Sequence, residues 1–122
     1  MLQGDAENSP LFSEDFACFE NSYTGGAPVA PALRDAVKAK LGIDLRPAYG
    51  LTESAGQTHH TPNGATVPVH AETGALAVGV PICSTLSKIA GEDGVELPPG
   101  QSGEIWIKGP QIMSGYWNKP EE

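Results

Sequence analysis

The stretch from Thr24 to Tyr49, "TGGAPVAPALRDAVKAKLGIDLRPAY", limits the fold more than any other part of the chain. Its glycine pair forces a turn, and Pro28 and Pro31 are admissible only in the first turn of a helix. Val29, Leu33, Ala36, Val37 and Leu41 then recur with the spacing of one helix face, while Arg34, Asp35, Lys38 and Lys40 fall largely off it. Gly42 supplies the C-terminal stop. "FACFENSY" (16–23) before this helix and "IDLRPAY" (43–49) after it read as extended segments. Strand, glycine turn, helix and strand make a βαβ unit, whose strands are expected to be parallel. Ligands of such units lie beyond the carboxyl ends of the strands. Both "TGGAP" and "AYGLTES" fall there, so two separated polar clusters should meet at one edge.

After Glu53 the pattern changes. "AGQTHHTPNGATVPVHAETG" reads as a turn-rich connector. From Ala75 onward, short extended segments alternate with turns: "ALAVGVP", "STLSKIA", a turn at "GEDG", "VEL", a loop at "PPGQSG" and the alternating "EIWIKG". In the last of these, Ile105, Trp106 and Ile107 are expected to pack and Lys108 to face solvent. The predicted fold class is therefore α/β plus β: a strand-helix-strand piece of a mixed or parallel sheet, followed by a small antiparallel β roll or distorted barrel. The expected divisions are a loose lead-in over 1–15, an α/β portion carrying the site over 16–62, and a β-rich subdomain over 63–122.

Composition narrows the function. Fifteen Gly and 11 Pro among 122 residues mean many turns, but recurrent Ile, Val, Leu and aromatic residues argue for a packed chain. Seven basic residues against fifteen acidic ones give a formal charge of −8, which argues against nucleic acid or an anionic membrane surface as a partner. A phosphate ligand would then need a cation or oriented amides. Cys18 and Cys83 show neither metal-ligand spacing nor a disulfide framework, which fits a reduced compartment. No signal peptide is read at "MLQGDAENSP", and no apolar run approaches the ~20 residues of a membrane helix.

"TGGAPVAP" has a bland reading, a tight turn that opens a helix. It also has a functional one: no Ser, Thr, Asp or Asn stands immediately before Pro28 as a cap, and glycines let a backbone approach a base or phosphate. "AYGLTES" is more specific. Thr52 or Ser54 could merely cap a turn with Glu53 solvated. Alternatively Tyr49 offers a stacking face, Gly50 a close backbone approach, Thr52 a hydroxyl for phosphate and Glu53 a hard oxygen ligand. His59, His60 and His70 have no zinc-ligand spacing and are expected to be exposed loop residues.

"TGGAP" (24–28), "YGLTE" (49–53) and "GEDGVELPPGQSGEIWIKGPQIMSGYWNKPE" resemble, in order and approximate spacing, the adenylate-forming acyl-CoA synthetases, over about residues 15–122. The resemblance implies a two-step reaction in which a carboxylic acid and ATP give an acyl adenylate, and CoA then takes the acyl group. It implies ATP/AMP, Mg²⁺ and CoA as the small molecules. It places Gly25, Gly26, Ala27 and Pro28 along the adenine and acyl pocket, Tyr49 and Gly50 at the nucleotide, Thr52 on the α-phosphate and Glu53 on Mg²⁺. Ala48, Gly56 and Gln57 match positions near the acyl group. Thr85 and Ser87 depart from the family's apolar strand positions and are expected to weaken one strand's packing.

The family's phosphate loop, ribose-binding Asp and catalytic lysine have no counterpart in these residues. The expected reading is therefore an internal fragment of the large N-terminal domain of an acid-CoA ligase, inactive alone and partnered by the rest of the synthetase chain. Its compartment is expected to be the cytoplasm, or a peroxisome if a targeting end lies elsewhere. Two alternatives remain open at this stage: a non-catalytic remnant or interaction module, and a piece of a peptide-synthetase adenylation domain.

Overall fold

The computed structural model describes residues 13–119; most of the lead-in expected over 1–15, namely residues 1–12, and the terminal "PEE" lie outside the described residues. A 3-10 turn, Ser13–Phe16, precedes strand β1, Ser22–Thr24. Helix α1, Pro31–Leu41, leads to strand β2, Leu45–Leu51. A second 3-10 turn, Thr52–Ser54, turns directly into β3, Gly56–His60. Three further strands follow: β4, Val80–Pro81; β5, Leu86–Ala90; and β6, Glu104–Lys108. One sheet has the order β1-β2-β3-β4 and the other pairs β5 with β6.

The βαβ expectation holds: β1 and β2 are parallel, with Ser22 opposite Leu45 and Thr24 opposite Pro47. Its first strand is shorter and later than "FACFENSY" suggested, because Phe16 belongs to the 3-10 turn and packs edge-on against Phe19 instead. Helix α1 begins at Pro31 in the N1 position, where its missing N–H costs nothing, and ends at Gly42 with φ +71°. Pro28 lies before the helix rather than inside its first turn. The expected inward helix face holds at Val37 and Leu41 but not at Leu33 and Ala36, with Arg34 turned in instead. Arg34, Val37 and Leu41 are half-buried, whereas Leu33 is 54% exposed. Arg34 turns inward because Asp44 waits at the start of β2, 2.8 Å away, and Arg46 approaches the same carboxylate at 3.3 Å. Partial burial alone would raise the Asp44 pKa; the Arg34 hydrogen bond and the nearby positive charges outweigh it and hold the carboxyl below its ordinary value.

β2 is shared lengthwise. Leu45–Pro47 pairs with β1, and Ala48–Leu51 pairs antiparallel with β3. Pro47, which has no N–H to give, sits where the pairing to β3 has not yet begun. The connector expected after Glu53 thus contains a strand, and His59 is buried in it rather than exposed. The hairpin closes because Gly50 has no side chain: a Cβ there would lie 2.0 Å from the Gly56 carbonyl oxygen. The ladder shifts register between Tyr49 and Gly50 at this crowded point.

The two sheets meet along a polar seam. Among the described residues Pro47, Val67 and Ala90 are the buried apolar ones, while Ser54, Thr58, His59, Thr61 and Thr85 are buried polar ones. His59 Nδ1 lies 2.9 Å from Thr58 Oγ1 and its Nε2 3.0 Å from Ser87 Oγ on β5. Gln111 Nε2 donates to Thr85 Oγ1 at 2.7 Å. Thr85 and Ser87, expected to weaken their strand, instead supply its bonds to neighbouring segments. β5 and β6 pair antiparallel as expected, from Leu86 opposite Lys108 to Ala90 opposite Glu104. Ile105 and Ile107 are half-buried; Trp106 is exposed on the Lys108 side, with the Lys88 ammonium 4.4 Å from its ring centroid.

Two outcomes follow from this packing. Gly50→Ala must displace backbone atoms, so it should cost ~3 kcal/mol or more of unfolding free energy in a urea melt. The second concerns acid. Burial lowers the His59 pKa below its ordinary value of 6.5, so the unfolded chain takes up this proton more readily than the folded one. The contribution is complete above about pH 6.5 and declines as the pH falls below it, with a slope of at most ~1.4 kcal/mol per pH unit. His59→Gln should flatten that part of the stability-pH curve measured by thermal melts.

Candidate functional site

At the carboxyl end of β1 the chain leaves the sheet through Gly25 and Gly26, and β1 makes no ladder pairs beyond Pro47. The Ala48–Leu51 half of β2 therefore has β3 on one side and this glycine turn on the other. Contact is close: a Cβ on Gly25 would sit 2.9 Å from the Ala48 carbonyl oxygen. An open cleft of about 500 Å³ results, lined by Gly25, Gly26, Ala48, Tyr49, Gly50, Thr52, Gly56 and Gln57, together with Tyr23, Thr24, Leu51 and Ala55. A second cavity of about 490 Å³ shares Gly26 and Ala48–Leu51 and adds Ala27, Pro28, Val29, Pro47, Ala75, Leu76 and Val78. The two sequence clusters thus meet, as the strand-helix-strand argument requires. Glu53 is the one predicted site residue that lines neither cavity.

The turn that carries Thr52 and Glu53 is pinned from inside by a buried serine. Ser54 Oγ accepts the Leu51 N–H at 3.0 Å and lies 2.9 Å from the Leu51 carbonyl and 2.6 Å from that of Gly56. Ala55 closes the turn with φ +51°, its N–H bonding the Thr52 carbonyl. With Ser54 turned in, Thr52 and Glu53 are left exposed. The Tyr49 ring is half-buried and stands edge-on to His59, with centroids 6.0 Å apart. Thr58 Oγ1 reaches the Tyr49 carbonyl at 3.2 Å, which ties the ring's backbone to the His59 seam.

Glu53 is an anion held from a distance in sequence. The Tyr116 hydroxyl donates to its Oε1 at 2.7 Å, and the Met113 N–H donates to its backbone carbonyl at 2.8 Å. The Tyr116 hydrogen bond is the main cause of a Glu53 pKa below the ordinary carboxyl value, and the same bond raises that of Tyr116. No group of three or more His, Cys, Asp or Glu able to hold a metal occurs among the described residues. A lone exposed carboxylate suits Mg²⁺ only as one ligand among substrate phosphates and water. Glu53 fits that arrangement.

Neither cavity is lined by Lys or Arg. The groups on offer are an aromatic ring, hydroxyls, an amide side chain and exposed backbone. These suit a flat heteroaromatic base and a single phosphoryl oxygen better than a whole triphosphate. Sequence reasoning missed Tyr23, Ala55, the Ala75–Val78 wall and Tyr116. Tyr23 adjoins the glycine motif and carried a usable signal; Leu76 and Tyr116 reach the site only by folding.

These features define a cleft at the end of a parallel strand pair, and comparison with known proteins names the class. The AMP-binding enzyme family matches residues 3–117, and the chain belongs to that family. It is 36% identical over 107 residues to a long-chain-fatty-acid-CoA ligase of Escherichia coli O6:H1, covering 88% of this chain and 18% of that relative. It is 34% identical over 123 residues to a feruloyl-CoA synthase of an Amycolatopsis species, covering 99% of this chain and 23% of the relative. Among solved structures, apo MatB from Rhodopseudomonas palustris superimposes with a TM-score of 0.74 at 32% identity, over 93% of this chain and 22% of MatB. The chain thus spans about a fifth of the length of the curated relatives it matches.

The local geometry gives a direct test. Ser54→Ala removes a buried hydroxyl that serves three backbone groups, so unfolding free energy should fall by ~1–3 kcal/mol in urea melts. Unchanged stability would mean that the turn is held by other contacts.

Proposed function

We propose that the chain forms the adenine and α-phosphate side of the site of an ATP-dependent acid-CoA ligase. The observation that carries the reading is the meeting of "TGGAP" and "YGLTE" on one cleft beside the half of β2 that β1 leaves unpaired. Membership of the AMP-binding family and the acyl-CoA ligases among its relatives support it, as does the ATP-bound form of MatB, which superimposes with a TM-score of 0.73.

In this reading the adenine lies against Tyr49 and the backbone of Gly25, Gly26 and Gly50, whose lack of side chains allows close approach. Ala27 and Pro28 border the base and the acyl group, and Ala48, Gly56 and Gln57 lie toward the acyl end. An oxygen of the carboxylic acid attacks the α-phosphorus, and the bond to pyrophosphate breaks. Charge gathers on the phosphoryl oxygens as this happens, and the Thr52 hydroxyl is placed to donate to one of them. Mg²⁺, when bound, neutralises phosphate charge, and Glu53 is the residue here that would hold it. In the second step the thiol of CoA takes the acyl group and AMP leaves.

The same reading makes the rest of a synthetase the chain's partner. Leu33, Val80, Leu86 and Trp117 are all more than half exposed, apolar area that a larger domain would cover. Neither Lys nor Arg lines either cavity, and in this reading the pyrophosphate end of ATP is gripped by the rest of the synthetase. The 122 residues alone are accordingly proposed to make no CoA thioester.

A thermal-shift titration tests the site itself. Mg²⁺ plus a non-hydrolysable acyl-adenylate mimic should raise the melting temperature of the chain, and Glu53→Ala should remove only the Mg²⁺-dependent part. Equal Mg²⁺-dependent shifts in both proteins would overturn the role of Glu53. Thioester formation by the isolated chain, dependent on ATP and a carboxylic acid, would overturn its inactivity.

A further inference from the structure

Glu53 is bonded twice by one segment that lies 60 or more positions away in the chain. After β6 the backbone turns at Gly109, where the Ile112 N–H bonds back at 3.2 Å. Gln111 then anchors on Thr85, the Met113 N–H bonds the Glu53 carbonyl, and the Tyr116 hydroxyl bonds Glu53 Oε1. The Lys119 N–H closes a small turn onto the Tyr116 carbonyl at 3.2 Å, which fixes where the ring leaves the backbone. One bond therefore locates the Glu53 main chain and the other its carboxylate.

This matters because the Tyr116 bond is the stronger influence on that carboxylate, its own backbone N–H being the lesser. Thr52, Glu53 and Ala55 are exposed, and Ser54 spends its hydroxyl on Leu51 and Gly56. An unrestrained surface glutamate divides among several rotamers, and ordering it on a ligand costs entropy. A carboxylate has two oxygens with about four lone-pair sites, so one hydrogen bond from a phenol leaves room for a cation.

We propose that Tyr116 is a positioning residue: together with the Met113 amide it holds the Glu53 carboxylate ready for the divalent cation that accompanies a nucleotide. This rests on the reading of Glu53 as a cation ligand. Tyr116 itself touches neither nucleotide nor cation. Its oxygen acts through Glu53, so Tyr116→Phe, which removes that oxygen and keeps the ring, is the informative change.

The test uses the 122-residue chain with Mn²⁺ and ATP as probes, reading free Mn²⁺ by electron paramagnetic resonance. Tyr116→Phe should weaken Mn²⁺ binding in the presence of ATP by ~3- to 10-fold, the loss of one hydrogen bond to a charged group in an exposed setting. Binding of ATP without metal should be unchanged, and the metal-free melting temperature should stay within ~2 °C of wild type. Glu53→Gln should weaken Mn²⁺ binding too, and adding Tyr116→Phe to it should cause no further loss, since the two act as one unit. Weakened binding in Glu53→Gln but wild-type binding in Tyr116→Phe would overturn the positioning role and leave the Glu53 reading intact. A Tyr116→Phe protein destabilised equally with and without metal, at unchanged Mn²⁺ affinity, would show a purely structural bond and also overturn it. Equal Mn²⁺ behaviour of wild type and Glu53→Gln, including no binding by either, would overturn the reading of Glu53 and the proposal with it.

Discussion

The architecture turns on one close approach, that of Gly50 to the Gly56 carbonyl, where a Cβ would come within 2.0 Å of the oxygen. Because no side chain intervenes, β2 can fold straight back as β3 after a turn of only three helical residues. Tyr49 is thereby placed on a rigid strand, and Thr52 and Glu53 on a tight turn immediately beyond it. Rigid strands present side chains more reproducibly than long loops do. The glycine that permits the turn also borders the cleft, so backbone and site geometry have a common origin.

The interior of this chain is unusual in what fills it. Hydroxyl and imidazole groups, rather than a large apolar cluster, join the two sheets through His59 to Ser87, with Gln111 to Thr85 bonding nearby. Buried polar groups are costly when unpaired, so such a seam specifies register more sharply than interchangeable aliphatic contacts would. It also links the site to the second sheet. Thr58 touches both the Tyr49 carbonyl and His59, and His59 touches Ser87.

Charge is the other organising influence. A chain of formal charge −8 is a poor host for phosphates by long-range attraction, and neither cavity offers a cation. What remains is short-range: glycine backbone that lets a ligand come close, a hydroxyl, and an acidic residue suited to a cation rather than to phosphate itself. In the proposed function that set recognises the base and one phosphoryl group. It agrees with membership of the AMP-binding family and with a chain that spans about a fifth of its relatives' length.

Much of this was readable from local chemistry. Paired glycines, the Pro31 start, the Gly42 stop and the alternation of "EIWIKG" are short-range signals, so helix α1 and strand β6 appear close to where they were expected. The parallel pairing of β1 and β2 follows from an intervening helix, and with it the meeting of "TGGAP" and "YGLTE". Strand β3 was hidden because "GQTHH" has little β propensity; its pairing with β2 overrides local preference. The altered helix face was hidden because Asp44 draws Arg34 inward, and the roles of Thr85 and Ser87 because their partners lie 26 and 28 residues away. The sequence by itself determined the strand, glycine turn, helix and strand order up to β2, the glycines that allow close approach and the residue types offered to a ligand. Only the tertiary structure decided which faces are buried, how the two sheets are joined and that Tyr116 holds Glu53, since hydrogen bonds between residues 63 positions apart leave no periodic trace in the chain.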